Sequence, residues 1–280
     1  MAEIGEISLL RVSRESAIGV FLDAGDLEEV LLPNNELPYE GKPKEGDELE
    51  VFLYRDSEDR PIAALTRPKI LPGGVGVLTV ISATQIGCFL DWGLPKDLLL
   101  PFREQRGRPK SGAKVVVAVT KDRSSDRIIA TQRVEKYIGK EAPQYEIGQA
   151  VDLLIYGQTD LGYKAVVDGV HSGLVFENDA AQSLRVGQEI KGFIREVRED
   201  WKIDLALHPP GRAGVESLEG KILEELTKRG GFWGIHDKSS ADDINAELGV
   251  SKKLFKKATG ALYRQEKITF EDDGIRLMGS

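Results

Sequence analysis

The chain has 280 residues, 41% hydrophobic, 30% charged and 7% aromatic, with 30 Gly and 12 Pro, a profile that supplies packed cores and excludes a disordered or collagenous chain. A single cysteine, Cys88, rules out an internal disulfide, and His171, His208 and His236 make no recognisable zinc cluster with it, so neither metal nor cofactor is expected. The net charge of −8 argues at first against a polyanionic partner. Its distribution is uneven, however: residues 1–68 carry 7 basic against 16 acidic side chains, 69–142 carry 13 against 7, 143–214 carry 7 against 11, and 215–280 carry 11 against 12. Such asymmetry fits charge-steered binding by part of the chain, and equally a solvated basic surface. The N-terminal stretch from Met1 to Leu10 holds Glu3 and Glu6 with neither a basic start nor an export-length apolar segment, and no apolar run approaches the length of a membrane span, so a cytoplasmic location and no membrane contact are expected.

Compared with itself, the chain repeats a unit of roughly 70 residues. Copy one reads Gly19-Val20-Phe21-Leu22-Asp23, then Val30-Leu31-Leu32-Pro33, then Gly46-Asp47-Glu48-Leu49-Glu50-Val51 and Arg60-Pro61-Ile62-Ala63-Ala64. Copy two follows the same order one unit later: Gly87-Cys88-Phe89-Leu90-Asp91, Leu98-Leu99-Leu100-Pro101, Gly112-Ala113-Lys114-Val115-Val116-Val117, Arg127-Ile128-Ile129-Ala130-Thr131. Copy three is more divergent, with Gly162-Tyr163-Lys164-Ala165-Val166-Val167, Gly173-Leu174-Val175-Phe176, Gly187-Gln188-Glu189-Ile190-Lys191-Gly192-Phe193-Ile194 and Trp201-Lys202-Ile203-Asp204-Leu205-Ala206-Leu207. Each unit holds five short strands, several alternating apolar and polar, bounded by Gly, Asp and Asn turns. Five strands in about 65 residues, with Gly where a strand must bend, predict a small closed barrel of the OB type rather than a solenoid.

After Pro209-Pro210-Gly211 the period becomes helical: Leu218, Ile222, Leu223 and Leu226 share one face of a helix ending at Gly230-Gly231. Ser240 caps a short helix with Ile244 and Leu248, Gly249 turns the chain, and Ser251 caps a second helix whose inner face is Leu254, Phe255, Ala258, Ala261 and Leu262. Ile268–Phe270 and Ile275–Leu277 then form a hairpin, completing a winged helix-turn-helix. The predicted fold is mostly β, three tandem OB barrels (1–68, 69–142, 143–210) followed by an α/β winged helix (211–280).

Gly-x-Phe-apolar-Asp after a first strand, the apolar triplet before a polar turn, and Gly-Asp-x-apolar-x-Val resemble the S1 RNA-binding domain, an OB barrel. With its winged-helix end the chain resembles, over roughly residues 1–277, the conserved virulence factor B family of bacterial proteins built from S1-like repeats and a winged helix. The resemblance implies RNA-facing rings at Phe21 and Phe89, although each also suits the core of a small barrel. Lys164 stands at that position in copy three, beside Tyr163, and Phe176 takes the place of a histidine the family usually keeps. Pro33 and Pro101 depart from that histidine, and Ala63, Ile129 and Asp204 from an arginine on the last strand.

Single strands bind OB surfaces by stacking on exposed aromatics within a basic groove. The expected stacking residues are Phe21, Phe89, Trp92, Tyr163 and Phe176, with Trp92 exposed because it sits in the turn Asp91-Trp92-Gly93. Phosphate contacts are expected from Arg106, Arg108 and Lys110 in copy two and from Lys164, Lys191, Arg195 and Lys202 in copy three. Lys252, Lys253, Lys256 and Lys257, with Arg264, make the outer face of the last helix basic, which suits nucleic-acid contact or a solvated face. The acidic first copy reads as a structural or protein-contact unit.

No catalytic constellation emerges. Pro72-Gly73-Gly74-Val75-Gly76 lacks the Lys-Ser/Thr of a phosphate loop and reads as a linker, and His171 and His208 read as surface or hydrogen-bonded residues. The expected function is non-catalytic binding of single-stranded RNA in regulating gene expression. The alternatives are a DNA-binding transcriptional regulator using the winged helix, or an adaptor whose acidic first barrel docks a basic protein of the translation apparatus. The linkers at 67–74 and 135–145 suit either stiff or docked conformations.

Overall fold

The computed structural model describes residues 2–39, 41–122, 125, 127–177 and 183–279, and divides into two compact units, Met1–Tyr137 and Ile138–Ser280. In the first unit, β1 (Ile7–Ser16), β2 (Gly19–Asp23), β3 (Glu29–Pro33), β4 (Glu48–Arg55) and β5 (Pro61–Ala64) close a barrel in the order β1-β2-β3-β5-β4. The strands β6 (Val75–Ala83), β7 (Gly87–Leu90), β8 (Leu98–Pro101), β9 (Lys114–Lys121) and β10 (Ile128–Thr131) repeat that order. Here β8 and β10 lie side by side without ladder hydrogen bonds, and the barrel closes by their packing and by bonds just beyond them, such as that from the Gln132 N–H to the Glu104 carbonyl at 3.0 Å.

In the second unit, β11 (Ala150–Thr159), β12 (Gly162–Val167), β13 (His171–Phe176), β14 (Glu189–Val197) and β15 (Ile203–Ala206) close a third barrel with the same order. A register shift recurs at one place in each copy, at Val12/Arg14, Val80/Ser82 and Ile155/Gly157. A bulge there bends the long first strand so that it pairs with both the second and the fourth, which closure requires.

The glycine that opens the second strand of each barrel, Gly19, Gly87 or Gly162, explains the most regular feature of the repeat. Its φ is +154°, +150° or +142°, and a Cβ there would lie 2.1–2.3 Å from the carbonyl oxygen of Leu32, Leu100 or Val175 on the facing strand. No side chain fits so close an approach.

The winged helix comprises α1 (Gly211–Lys228), β16 (Phe232–Trp233), α2 (Ala241–Leu248), α3 (Lys252–Arg264), β17 (Ile268–Phe270) and β18 (Ile275–Leu277). Ser240 accepts from the Asp243 N–H at 3.0 Å, Gly249 ends α2 at φ 69°, and Ser251 caps α3. Phe255, Ala258 and Leu262 pack with Leu218, Ile222, Leu226 and Ile244 in one core. β16, a short strand absent from the sequence reading, pairs with β18 and makes the wing a three-stranded sheet. Among the described residues no helix is long and apolar enough to cross a membrane.

Both linkers are docked where they are described within a unit. In the first unit the Lys69 N–H donates to the Trp92 carbonyl at 2.9 Å and Ile70 is buried. In the second, the Gly139 N–H donates to the Val170 carbonyl at 2.8 Å, and His171 lies 3.0 Å from the Tyr145 hydroxyl and 3.1 Å from the Glu141 carbonyl. A hydrogen bond likewise satisfies His208, whose Nε2 lies 2.8 Å from the Gly249 carbonyl.

Candidate nucleic-acid interface

Register places corresponding side chains of the three barrels on one outer face: Phe21 opposite Leu31, Phe89 opposite Leu99, and Lys164 opposite Leu174. All six are half-buried, while the residues on either side of Phe21, Phe89 and Lys164 point inward. That alternation corrects Tyr163. Beside an outward Lys164 it points into the third barrel, is 5% exposed, and sits in the core with Leu153, Ile155 and Val175, out of reach of a base.

Trp92 is corrected as well. It is 3% exposed, its indole N–H donates to the Ile70 carbonyl at 2.7 Å, and its ring meets Phe52 of β4 edge-on at 5.6 Å. The folded-back linker supplies the acceptor that lets the indole be buried in a turn. Trp92 therefore joins the first two barrels, whose residues Phe52, Tyr54 and Ala64 share a core with Leu78, Leu90 and Val117. A sequence signal existed: Val51-Phe52-Leu53-Tyr54 in β4 and Val115 to Val119 in β9 are unbroken apolar runs, all buried, as strands covered on both faces must be.

The outward rings of Phe21 and Phe89 in the first unit are covered. The Arg14 guanidinium lies 3.7 Å from the centroid of Phe21, held there by the Glu29 carboxylate at 2.7 Å. That bond and one from Ser13 hold the Glu29 carboxyl below its ordinary range. Phe89, Leu99 and Ile129 lie in a cavity of about 230 Å³ walled by Arg55, Ser57 and Asp59 of the β4–β5 hairpin. Lys96 anchors that hairpin through the carbonyls of Arg55 (2.9 Å) and Asp56 (2.6 Å), and Arg127 pairs with Asp59 at 3.2 Å. Burial pushes the Lys96 ammonium down, and burial with nearby Glu36 and Asp56 pushes the Tyr54 phenol up to about 12. Arg106, Arg108 and Lys110 are exposed, Arg106 in an ion pair with Glu135.

The second unit is arranged differently. Arg195 of β14, whose guanidinium lies 5.9 Å from the Phe176 centroid, lines a cavity of about 220 Å³ together with Lys253 and Lys257 of α3 and with His208 and Pro209 of the connection between barrel and helix. Lys257 also borders a more open depression with Lys256, Arg212 and Arg264. Lys253, Lys256 and Lys257 are exposed and have no ion-pair partner among the described residues. Lys252 departs from the expected outer face: half-buried, it donates to the Ser239 carbonyl at 2.6 Å and ties α3 to the turn before α2. Lys191 and Lys202 are exposed in pairs with Asp152 and Asp200. Asp204, where the resemblance predicts an arginine, is buried and accepts from Arg198 at 2.7 Å. The sequence reading missed Trp201, which is 56% exposed in the turn between β14 and β15.

A model of the CvfB-like winged helix domain matches residues 220–277, and one of the S1 domain matches residues 4–66. Over 281 residues the chain is 23% identical to conserved virulence factor B of Staphylococcus saprophyticus, covering 98% of this chain and 94% of that protein. Over nearly its full length, and in its winged-helix domain, the chain is similar to the conserved virulence factor B family. It is 26% identical to the uncharacterized protein YitL of Bacillus subtilis, over 96% of this chain and 92% of that one. A crystal structure of a multidomain protein with nucleic acid binding domains from Streptococcus pneumoniae aligns with a TM-score of 0.47 and 24% identity over 98% of both chains. The S1 and winged-helix domains matched in this chain are nucleic-acid-binding rather than catalytic types. Among the described residues no three His, Cys, Asp or Glu side chains are grouped to hold a metal ion.

Proposed function

We propose that the chain is a non-catalytic, cytoplasmic RNA-binding regulator of gene expression that holds single-stranded RNA along its second unit. The observation carrying this reading is the convergence of Arg195 from the third barrel with Lys253 and Lys257 from α3 around one cavity. Three cations drawn from two domains and facing one opening form a track for phosphates, and counterion release would drive binding with little sequence preference. Bases would lie against Phe176 and Lys164 on the barrel side. The reading favours a single strand over duplex DNA because Ser251, Lys253 and Leu254 at the start of α3 line a cavity shared with Arg195 and Ala206 of the barrel.

The test is a salt titration of the whole chain against a labelled single-stranded RNA, the matching DNA strand and a duplex. Preference for the RNA strand, with affinity falling linearly in log salt, supports the reading. Tightest binding to a duplex favours a transcriptional regulator, and no nucleic-acid affinity at low salt leaves a protein adaptor.

A further inference from the structure

The hairpin between the fourth and fifth strands has the same hydrogen bonds in the first and third barrels. The Asp56 N–H donates to the Arg60 carbonyl at 3.0 Å and the Asp59 N–H to the Asp56 carbonyl at 3.1 Å, while the Arg198 N–H donates to the Lys202 carbonyl at 2.9 Å and the Trp201 N–H to the Arg198 carbonyl at 3.0 Å. Both turns place their fourth residue in the left-handed region, Asp59 at φ 69° and Trp201 at φ 64°. Glycine, asparagine and aspartate tolerate that conformation, whereas a bulky aromatic there is a strained outlier. The third barrel thus holds its tryptophan where the turn itself disfavours one, and buries little of it: the residue is 56% exposed, against 3% for Trp92 and 2% for Trp233. Folding gains little from this residue at this position, which points to a role in contact with something else.

We propose that Trp201 is a stacking platform for an unpaired base of the bound strand. This inference rests on the RNA-binding reading above and extends its path to the far end of β15, whose last residue, Ala206, lines the cavity that Arg195 shares with α3. Its chain neighbours Glu199, Asp200 and Lys202 are all exposed and charged, so the ring stands alone on a polar tip. That setting suits a single flat partner, stacked face to face, better than the broad apolar patch of a protein interface.

Trp201 is the only exposed tryptophan of the three, which gives the proposal its own signal. The whole chain, Trp201→Asn and Trp201→Phe are titrated with single-stranded RNA, read by anisotropy of a labelled oligonucleotide and by tryptophan emission. RNA is expected to quench wild-type emission, and Trp201→Asn to lose about five- to a hundredfold in affinity while Trp201→Phe recovers most of it. The slope of log affinity against log salt stays unchanged in all three, because no charge is altered. The thermal midpoint of Trp201→Asn is not lowered, because asparagine accepts the left-handed backbone. Wild-type affinity in Trp201→Asn without quenching overturns the stacking role and leaves the RNA reading standing, and a lowered midpoint overturns it by showing a structural role. Absence of RNA binding by the wild-type chain overturns both.

Discussion

The two units reuse one barrel and differ in what is packed against its outer face. In the first, Arg14 covers Phe21, the hairpin of one barrel walls the cavity over Phe89 in the next, and Trp92 cements their junction. In the second, Lys164 replaces the aromatic residue, Arg195 faces the lysines of α3 and Trp201 stands in solvent. The same barrel face is thus a covered joint in the first unit and borders a cavity lined by cations in the second, and the neighbouring element decides which.

The contrast is broken most strongly at the joint. Trp92→Ala should cost about 3–5 kcal/mol, as truncation of a large buried aromatic does. Denaturant unfolding of the whole chain should then show an early transition while the RNA affinity proposed for the other unit holds below that transition. A loss of affinity at equal foldedness would move the binding site into the first unit. Gly87→Ala, which drives a Cβ against the Leu100 carbonyl, should destabilise the same unit by about 3 kcal/mol, read as a drop in thermal midpoint.

Lys253→Glu with Lys257→Glu should weaken single-stranded RNA binding about tenfold or more and reduce the log-salt slope by about 1.4, the share of two phosphates on a single strand. Arg108→Glu with Lys110→Glu in the first unit should change both less. Phe176→Leu should cost about fivefold in affinity if its ring carries a base, while Phe21→Leu, already beneath Arg14, should leave affinity unchanged within error. The smallest effect concerns pH. The Glu29 carboxyl, held low by Arg14, keeps its contribution above its unfolded pKa and loses it only as pH falls through the lower folded value. Glu29→Gln should therefore flatten the acid limb of the stability profile and leave neutral stability nearly unchanged.

Local chemistry was legible from residues alone. The repeat glycines announce a close strand approach, Ser240, Gly249 and Ser251 announce the ends of two helices, and the change of period after Pro210 announces a new domain. These features depend on the conformations of a few consecutive residues, so spacing reveals them. The candidate site was legible as a set of charges but not as a place: Arg195, Lys253 and Lys257 were each named, yet the arginine and the two lysines belong to different domains and nothing local says they face one opening.

The same limit explains the misplaced aromatics. For Tyr163 the period-two pattern held the answer, since it and Lys164 cannot both face outward. For Trp92 the turn Asp91-Trp92-Gly93 says nothing of Ile70 and Phe52, which supply its acceptor and its packing from the linker and from the preceding barrel. The sequence by itself determined strands, turns, caps and the order of domains, because backbone sterics and period act within a few residues. Only the tertiary structure decided which faces are covered, because burial depends on the partner that chain folding brings to each face.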